Sequence, residues 1–172
     1  MITSFIPALK YMVIALRHKW AVFLVGRKLR VSLWRRITHD WTKLLWWNLV
    51  GYGWQFCGSA DRPNQFIHTW LRHQNAHDHH WEWWIPRSGH NRCESPYPDN
   101  EPLSMSEPAV REMIADWMAA GRVYNGRWPD VFNWEWFDNS RERIQSRVHP
   151  DTWELINEII IDLQKWEARC TR

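Results

Sequence analysis

The chain has 172 residues, of which 45% are hydrophobic and 24% charged; this excludes an intrinsically disordered polymer and suits a single hydrophobic core. A net charge of +3 conceals an asymmetry, because residues 1–45 hold nine Lys and Arg against Asp40 alone, a field that favours phosphates, nucleic acid or lipid headgroups. The 16 tryptophans exceed what one small core readily hides, which points to a ring-lined cavity or a subunit contact and predicts a homo-oligomer.

Apolar residues recur at helical spacing over residues 6–25, with Tyr11, Ile14, His18, Val22 and Val25 on one stripe. Pro7, Lys10 and then Arg17-His18-Lys19 interrupt this segment before it reaches the roughly 20 residues of a membrane span, and no small-residue cleavage site follows. The expectation is a soluble cytoplasmic protein. Gly26 and the basic run to Arg30 mark a turn, and a second helix is expected over residues 32–49, ended by Gly51, Gly53 and Gly58. Asp61, Pro63 and Asn64 announce a third, residues 65–84. Residues 86–102 are rich in Pro, Ser, Asn and Gly and read as a long loop of the kind that forms lids. Ser104-Met105-Ser106-Glu107 fits a capping box before a fourth helix, residues 107–120, closed by Gly121. After a loop at 124–139 that carries Trp128, Trp134 and Trp136, two more helices are expected, 140–148 and 150–168, the last with Pro150 in its first turn. No segment reads as a strand. The fold class is therefore an all-α, single-domain helical bundle over residues 1–172, with the chemistry-bearing part at about 6–120. Cys57, Cys93 and Cys170 are odd in number and form no C-x-x-C pair, so they read as reduced thiols.

Polar, metal-capable side chains fall where the helical period asks for apolar ones. His18 lies on the inward stripe of the first helix, where a buried imidazole needs a partner; alone it reads more readily as a core histidine bonded to a carbonyl than as a metal ligand. His39 and Asp40 are adjacent, with Lys43 one turn beyond and able to meet an anion bound there. In the third helix Phe66, Trp70, His73, His77, His80 and Trp84 share a stripe, apolar at its ends and imidazole in its middle. His73 with His77, and His77 with His80, have the i, i+4 and i, i+3 spacing with which one helix grips a transition metal. Asp78 and His79 fall off that stripe, toward an outer layer or solvent. Glu112 and Asp116 share a face of the fourth helix; Glu112 has a second explanation in the helix dipole, whereas Asp116, further along, lacks it.

The order His18, His39-Asp40, His73, His79-His80, Asp116 resembles the HD-domain superfamily of helical metal-dependent phosphohydrolases, and Lys43 is similar to the lysine of its H-D-x-x-K branches. More narrowly, H-K-W at 18–20, H-D-W-T-K at 39–43, W-L-R-H-Q-N-A-H at 70–77, H-H-W at 79–81 and E-M-I-A-D-W at 112–117 look like a poorly characterised family of phages and bacteria. That family would place the protein in a host cytoplasm if it is phage-encoded. The resemblance covers residues 14–120. It differs from the best-known branches in the short gap between His18 and His39 and in the clustered histidines. It implies that His18, His39, Asp40 and Asp116 hold one divalent ion (Mn, Fe, Co, Zn or Ni). His73 and one or more of His77, His79 and His80, with His80 the favoured partner, would hold a second if there are two. The activity implied is hydrolysis of a nucleotide or other small phosphate ester, with Asp40, Lys43, Glu112 and His77 as the catalytic set. Lys43, Arg17, Lys19, Asn75 and a base-stacking Trp81 would bind substrate. Two other classes share these ligands: a di-iron oxygenase, and a non-catalytic protein that sequesters a nucleotide or signalling molecule.

Overall fold

A computed structural model describes residues 2–58, 63–86 and 101–170. Seven α-helices and two short 3-10 turns make up its regular structure, with no strand among the described residues. The helices are α1 (Ile2–Lys28), α2 (Leu33–Thr38), α3 (Trp46–Cys57), α4 (Pro63–Gln74), α5 (Glu107–Tyr124), α6 (Glu135–Gln145) and α7 (Pro150–Cys170). The all-helical, single-domain expectation holds. Among the described residues no helix is long and apolar enough to cross a membrane.

α1 is the organising element. Its 27 residues span about 40 Å at the helical rise, long enough to serve two cores. Its C-terminal half, with Val22, Val25 and the Leu29 that follows it, packs with α5, α6 and α7 around Val110, Ile114, Ile144 and Ile156, all essentially inaccessible. Its N-terminal half, Ala8, Tyr11 and Ala15, forms a second, smaller cluster with Leu49 and Tyr52 of α3. His18 lies on α1 between these two clusters, so the candidate site sits at the seam where aliphatic packing gives way to polar contacts.

Several helix boundaries depart from expectation, the largest differences being in the second and third helices. The second helix does not run from 32 to 49. α2 stops at Thr38, Asp40 takes a left-handed backbone with φ 52°, and a 3-10 turn (Trp41–Leu44) leads into α3. Asp is one of the few residues that enters this region at modest cost. The Lys19 ammonium seals the break by donating to the carbonyls of Ile37 at 2.5 Å and His39 at 2.6 Å. Gly51 and Gly53, expected to terminate that helix, lie inside α3 because they let neighbours approach. A Cβ on Gly53 would stand 2.7 Å from the backbone at Pro7 and Ala8, and one on Gly51 would strike the Thr69 side chain. Gly121 likewise sits within α5, with the Pro129 ring where its Cβ would be.

The third helix ends at Gln74, ten residues early, and the chain turns through 75–80 into the second 3-10 turn (Trp81–Trp84). The extended histidine stripe therefore does not exist as one helix face. The capping box is not formed either: the N-cap of α5 is Ser106, without a side-chain bond, and Glu107 pairs with Arg111 instead. α6 begins five residues before its expected start, and α7 spans its expected range. Cys57 and Cys170 are unpaired. Cys93 and residues 87–100 of the expected lid lie outside the described residues.

Candidate metal centre

The break after α2 is what makes the site. On a continuous helix His39 and Asp40 would diverge by about 100°. The left-handed corner instead turns both inward, and both are buried. His18 arrives from α1, His73 from the last turn of α4, His79 and His80 from the turn that follows, and Asp116 from α5.

Asp40 is the hub, and its two oxygens face different donors. On the Oδ2 side, His39 Nε2 lies at 3.3 Å and His18 Nε2 at 3.8 Å. Asp116 Oδ1 closes that group, 2.7 Å from His18 and 3.4 Å from His39. On the Oδ1 side, His73 Nε2 lies at 3.2 Å and His79 Nε2 at 3.3 Å, with His80 Nε2 2.9 Å from His73 Nε2. Donors bonded at roughly 2.0–2.2 Å to one ion stand about 3 to 3.5 Å apart at octahedral or tetrahedral angles, and the distances in the two groups, 2.7 to 3.8 Å, bracket this spacing. Each is a set of four residues able to hold a metal, and they share Asp40.

The donor chemistry fits. His39 Nε2, His79 Nε2 and Asp40 Oδ1 are buried and make no hydrogen bond, although buried polar atoms nearly always do. Burial lowers the pKa of His18, His73 and His80, so these rings stay in the neutral form that ligates metals. Burial also opposes charge on His39 and His79, but Asp40 and Glu112 around both, and Asp116 at His39, outweigh it and raise their pKa. The interior thus favours positive charge. Asp40 and Asp116 remain ionised despite burial, held down by His39 and Lys43 in one case and by His18 and His39 in the other.

Around the donors lies a layer that fixes ring orientation. Glu112 Oε1 accepts from His39 Nδ1 at 2.8 Å and faces His79 Nδ1 at 3.2 Å, which fixes both rings with Nε2 turned toward Asp40. Arg35 Nε donates to Glu112 Oε2 at 2.5 Å, and its other nitrogens grip the Asp78 carboxylate. Glu112, expected to move protons, is therefore engaged by two imidazoles and a guanidinium. Thr42 Oγ1 lies 3.0 Å from His73 Nδ1 and 2.7 Å from His77 Nε2. With the His73 proton donated to Thr42, the Thr42 hydroxyl donates onward to His77. His77 is outside both donor groups, one residue removed.

The remaining expected residues divide. Lys43 Nζ donates to Asp40 Oδ2 at 2.5 Å and joins the cluster. Lys19 is used on α2 carbonyls instead of facing an anion. Arg17 is exposed beside His18, and Asn75 is exposed after α4. Trp81 does not stand free to stack a base, since it packs on the larger core with its ring 6.2 Å from Trp117. Arg35 and Thr42 escaped sequence reasoning as site residues, since on a single sequence nothing separates them from ordinary surface or turn residues; Asp78 stands in the outer layer, one of the two places its position off the stripe left open. His79 fell on the wrong face only because α4 was extended too far.

Buried donors on four separated segments, converging on one shared carboxylate in an all-helical frame, describe a candidate metal-binding helical protein. The chain belongs to the family of unknown function DUF5662, whose model matches residues 8–162. No curated protein and no solved structure matches it.

Proposed function

We propose that this protein is a metal-dependent phosphohydrolase of HD type that acts on a nucleotide or another small phosphate ester. The observation that carries the reading is the division of labour at Asp40, whose two oxygens address separate donor groups, as a carboxylate shared by two ions would. His18, His39, Asp40 and Asp116 would hold one ion, and Asp40, His73, His79 and His80 the other. When bound, such ions acidify water and draw charge from a phosphoryl oxygen. The chain's own groups do the rest. Glu112 and Thr42 hold the imidazoles in the tautomers that present Nε2, and Arg35 holds Glu112. The Lys43 ammonium, which gives one donor to Asp40, would direct its remaining donors to substrate oxygens and offset their charge.

Five imidazoles with two carboxylates also suit iron, which favours an oxygen-activating di-iron enzyme as the second reading. Metal analysis of the purified protein, paired with a phosphate-release screen over nucleotides and small phosphate esters, separates the two. Substoichiometric metal after reconstitution with Mn, Fe, Co, Ni and Zn would defeat both. Full loading with iron, and oxygen uptake without phosphate release, would favour the second.

A homo-oligomer belongs to the proposal. Ile6, Leu9, Val13, Leu16, Trp20 and Leu24 follow a three-four spacing along α1 and are between 38% and 61% exposed, forming a continuous apolar seam of the sort helix pairs bury.

A further inference from the structure

The donor cluster is sealed on most sides but not all. The His39 and His73 side chains are wholly inaccessible, whereas those of Asp116, Lys43 and His18 are 16%, 13% and 10% exposed. The approach to the centre therefore runs along this edge. A separate cleft of about 650 Å³, rimmed by Trp34, Trp41 and Trp83, meets His79 and Glu112, on the side where the ring nitrogen is already bonded to Glu112.

Tyr52 of α3 stands between Lys43, which lies on this edge, and the inaccessible His73. Its ring stacks on that of Tyr11, with centroids 4.9 Å apart and planes 5° apart, and meets the His73 ring edge-on. Lys43 Nζ lies 5.7 Å from its ring centre. Tyr52 is 2% exposed, yet its hydroxyl makes no hydrogen bond. A buried phenol normally finds a partner, and an unsatisfied one weakens the fold. Burial, against the pull of Lys43, keeps the Tyr52 phenol protonated far above neutral pH, so what it offers a ligand is an O–H. Next to it, the Lys43 ammonium has donors beyond the one given to Asp40.

We propose that the Tyr52 hydroxyl and Lys43 together form an oxyanion subsite that receives a phosphoryl oxygen of the substrate or of the product phosphate. A cationic donor and a neutral donor on one edge of a centre otherwise lined by imidazoles and carboxylates select an anion with several acceptor oxygens. The inference rests on the phosphohydrolase reading and deepens it.

The test is Tyr52→Phe, which deletes the hydroxyl and leaves the ring stack. Inorganic phosphate is titrated calorimetrically into the metal-loaded proteins, and Tm is measured on the metal-free ones. The expected result is equal metal content, a Tm equal to or above that of the parent, and phosphate binding weakened about tenfold to a hundredfold, the loss of a hydrogen bond to a charged acceptor. Equal phosphate affinity in the two proteins would overturn the subsite while leaving phosphate release to be judged by its own screen. A parent that binds no phosphate at millimolar concentration would overturn it too. So would a lower Tm in the variant, because the hydroxyl would then have a structural partner.

Discussion

Replacing Glu112 by Gln isolates the contribution of the layer behind the donors. The carboxylate accepts from His39 Nδ1 at 2.8 Å, faces His79 Nδ1 at 3.2 Å through the same oxygen, and accepts from Arg35 through the other. The amide keeps one acceptor oxygen. If that oxygen takes the imidazole side, its NH₂ opposes the Arg35 guanidinium; if it takes the Arg35 side, both imidazoles lose their acceptor. Either arrangement forfeits hydrogen bonding to a charged group, worth about 1.5–3 kcal/mol, and removes the negative charge that makes both Nε2 atoms more basic. Metal affinity should fall about tenfold to a hundredfold, the usual effect of losing an outer partner of a ligating histidine, while stoichiometry is kept. Competition against a chromophoric chelator with Mn or Zn measures this directly. An affinity within twofold of the parent would refute the orienting role of Glu112 and, with it, the assignment of Nε2 as the ligating atom of His39 and His79.

Three further outcomes follow from the same geometry. Asp40→Asn keeps a residue type that tolerates the left-handed corner but removes the shared carboxylate, so the protein should stay helical by circular dichroism and lose bound metal; full stoichiometry in this variant would defeat the hub assignment. Burial holds the His77 pKa at about 3, against about 6.5 when unfolded. Between these values the unfolded chain takes a proton that the folded one refuses, so stability falls as the pH drops below 6.5. At pH 5 that loss is about 2 kcal/mol, and urea unfolding of metal-free His77→Gln should show a difference between pH 7 and pH 5 smaller by that amount; an unchanged difference would mean that His77 is not held neutral. Finally, Val13 and Leu16 are 54% and 48% exposed, so changing both to Glu should leave Tm within about 1 kcal/mol of stability yet dissociate the oligomer in sedimentation; a parent that is already monomeric at high concentration would remove the α1 seam as a contact.

Much of the centre was legible because α1 keeps its period without interruption. His18 on the stripe of Tyr11, Val22 and Val25 could only point inward, and it does. Asp116 was legible for a related reason: a carboxylate in the second half of α5, among Met113 and Ala120, gains nothing from the helix dipole and calls for a cation. What failed was the assumption that a period continues. The apolar residues after Ser32 suggested one helix through Leu49, but Leu33, Trp34 and Ile37 are exposed on α2, and the chain breaks where His39 and Asp40 must both turn inward. Past Gln74 the same extrapolation put His79 outside and His77 among the ligands, whereas the turn at 75–80 brings His79 into a donor group and leaves His77 buried but outside both groups. Tyr52 carried no signal at all, since a tyrosine in an apolar helix looks the same whether or not its hydroxyl is bonded. The glycines misled because absence of a side chain has two uses, ending a helix and admitting a neighbour, and a single sequence does not distinguish them.

The second of those uses has a mechanical side. Gly53 rests directly against the α1 backbone at Ala8, and His18 is ten residues further along the same helix, about 15 Å away at the helical rise. A helix transmits an axial shift along its length almost undiminished, so the depth to which α1 seats on α3 sets where the His18 imidazole stands relative to Asp116. The tolerance of the metal centre is thus decided partly at a remote contact between two backbones, where a hydrogen atom serves as the spacer and a methyl group would move the ligand.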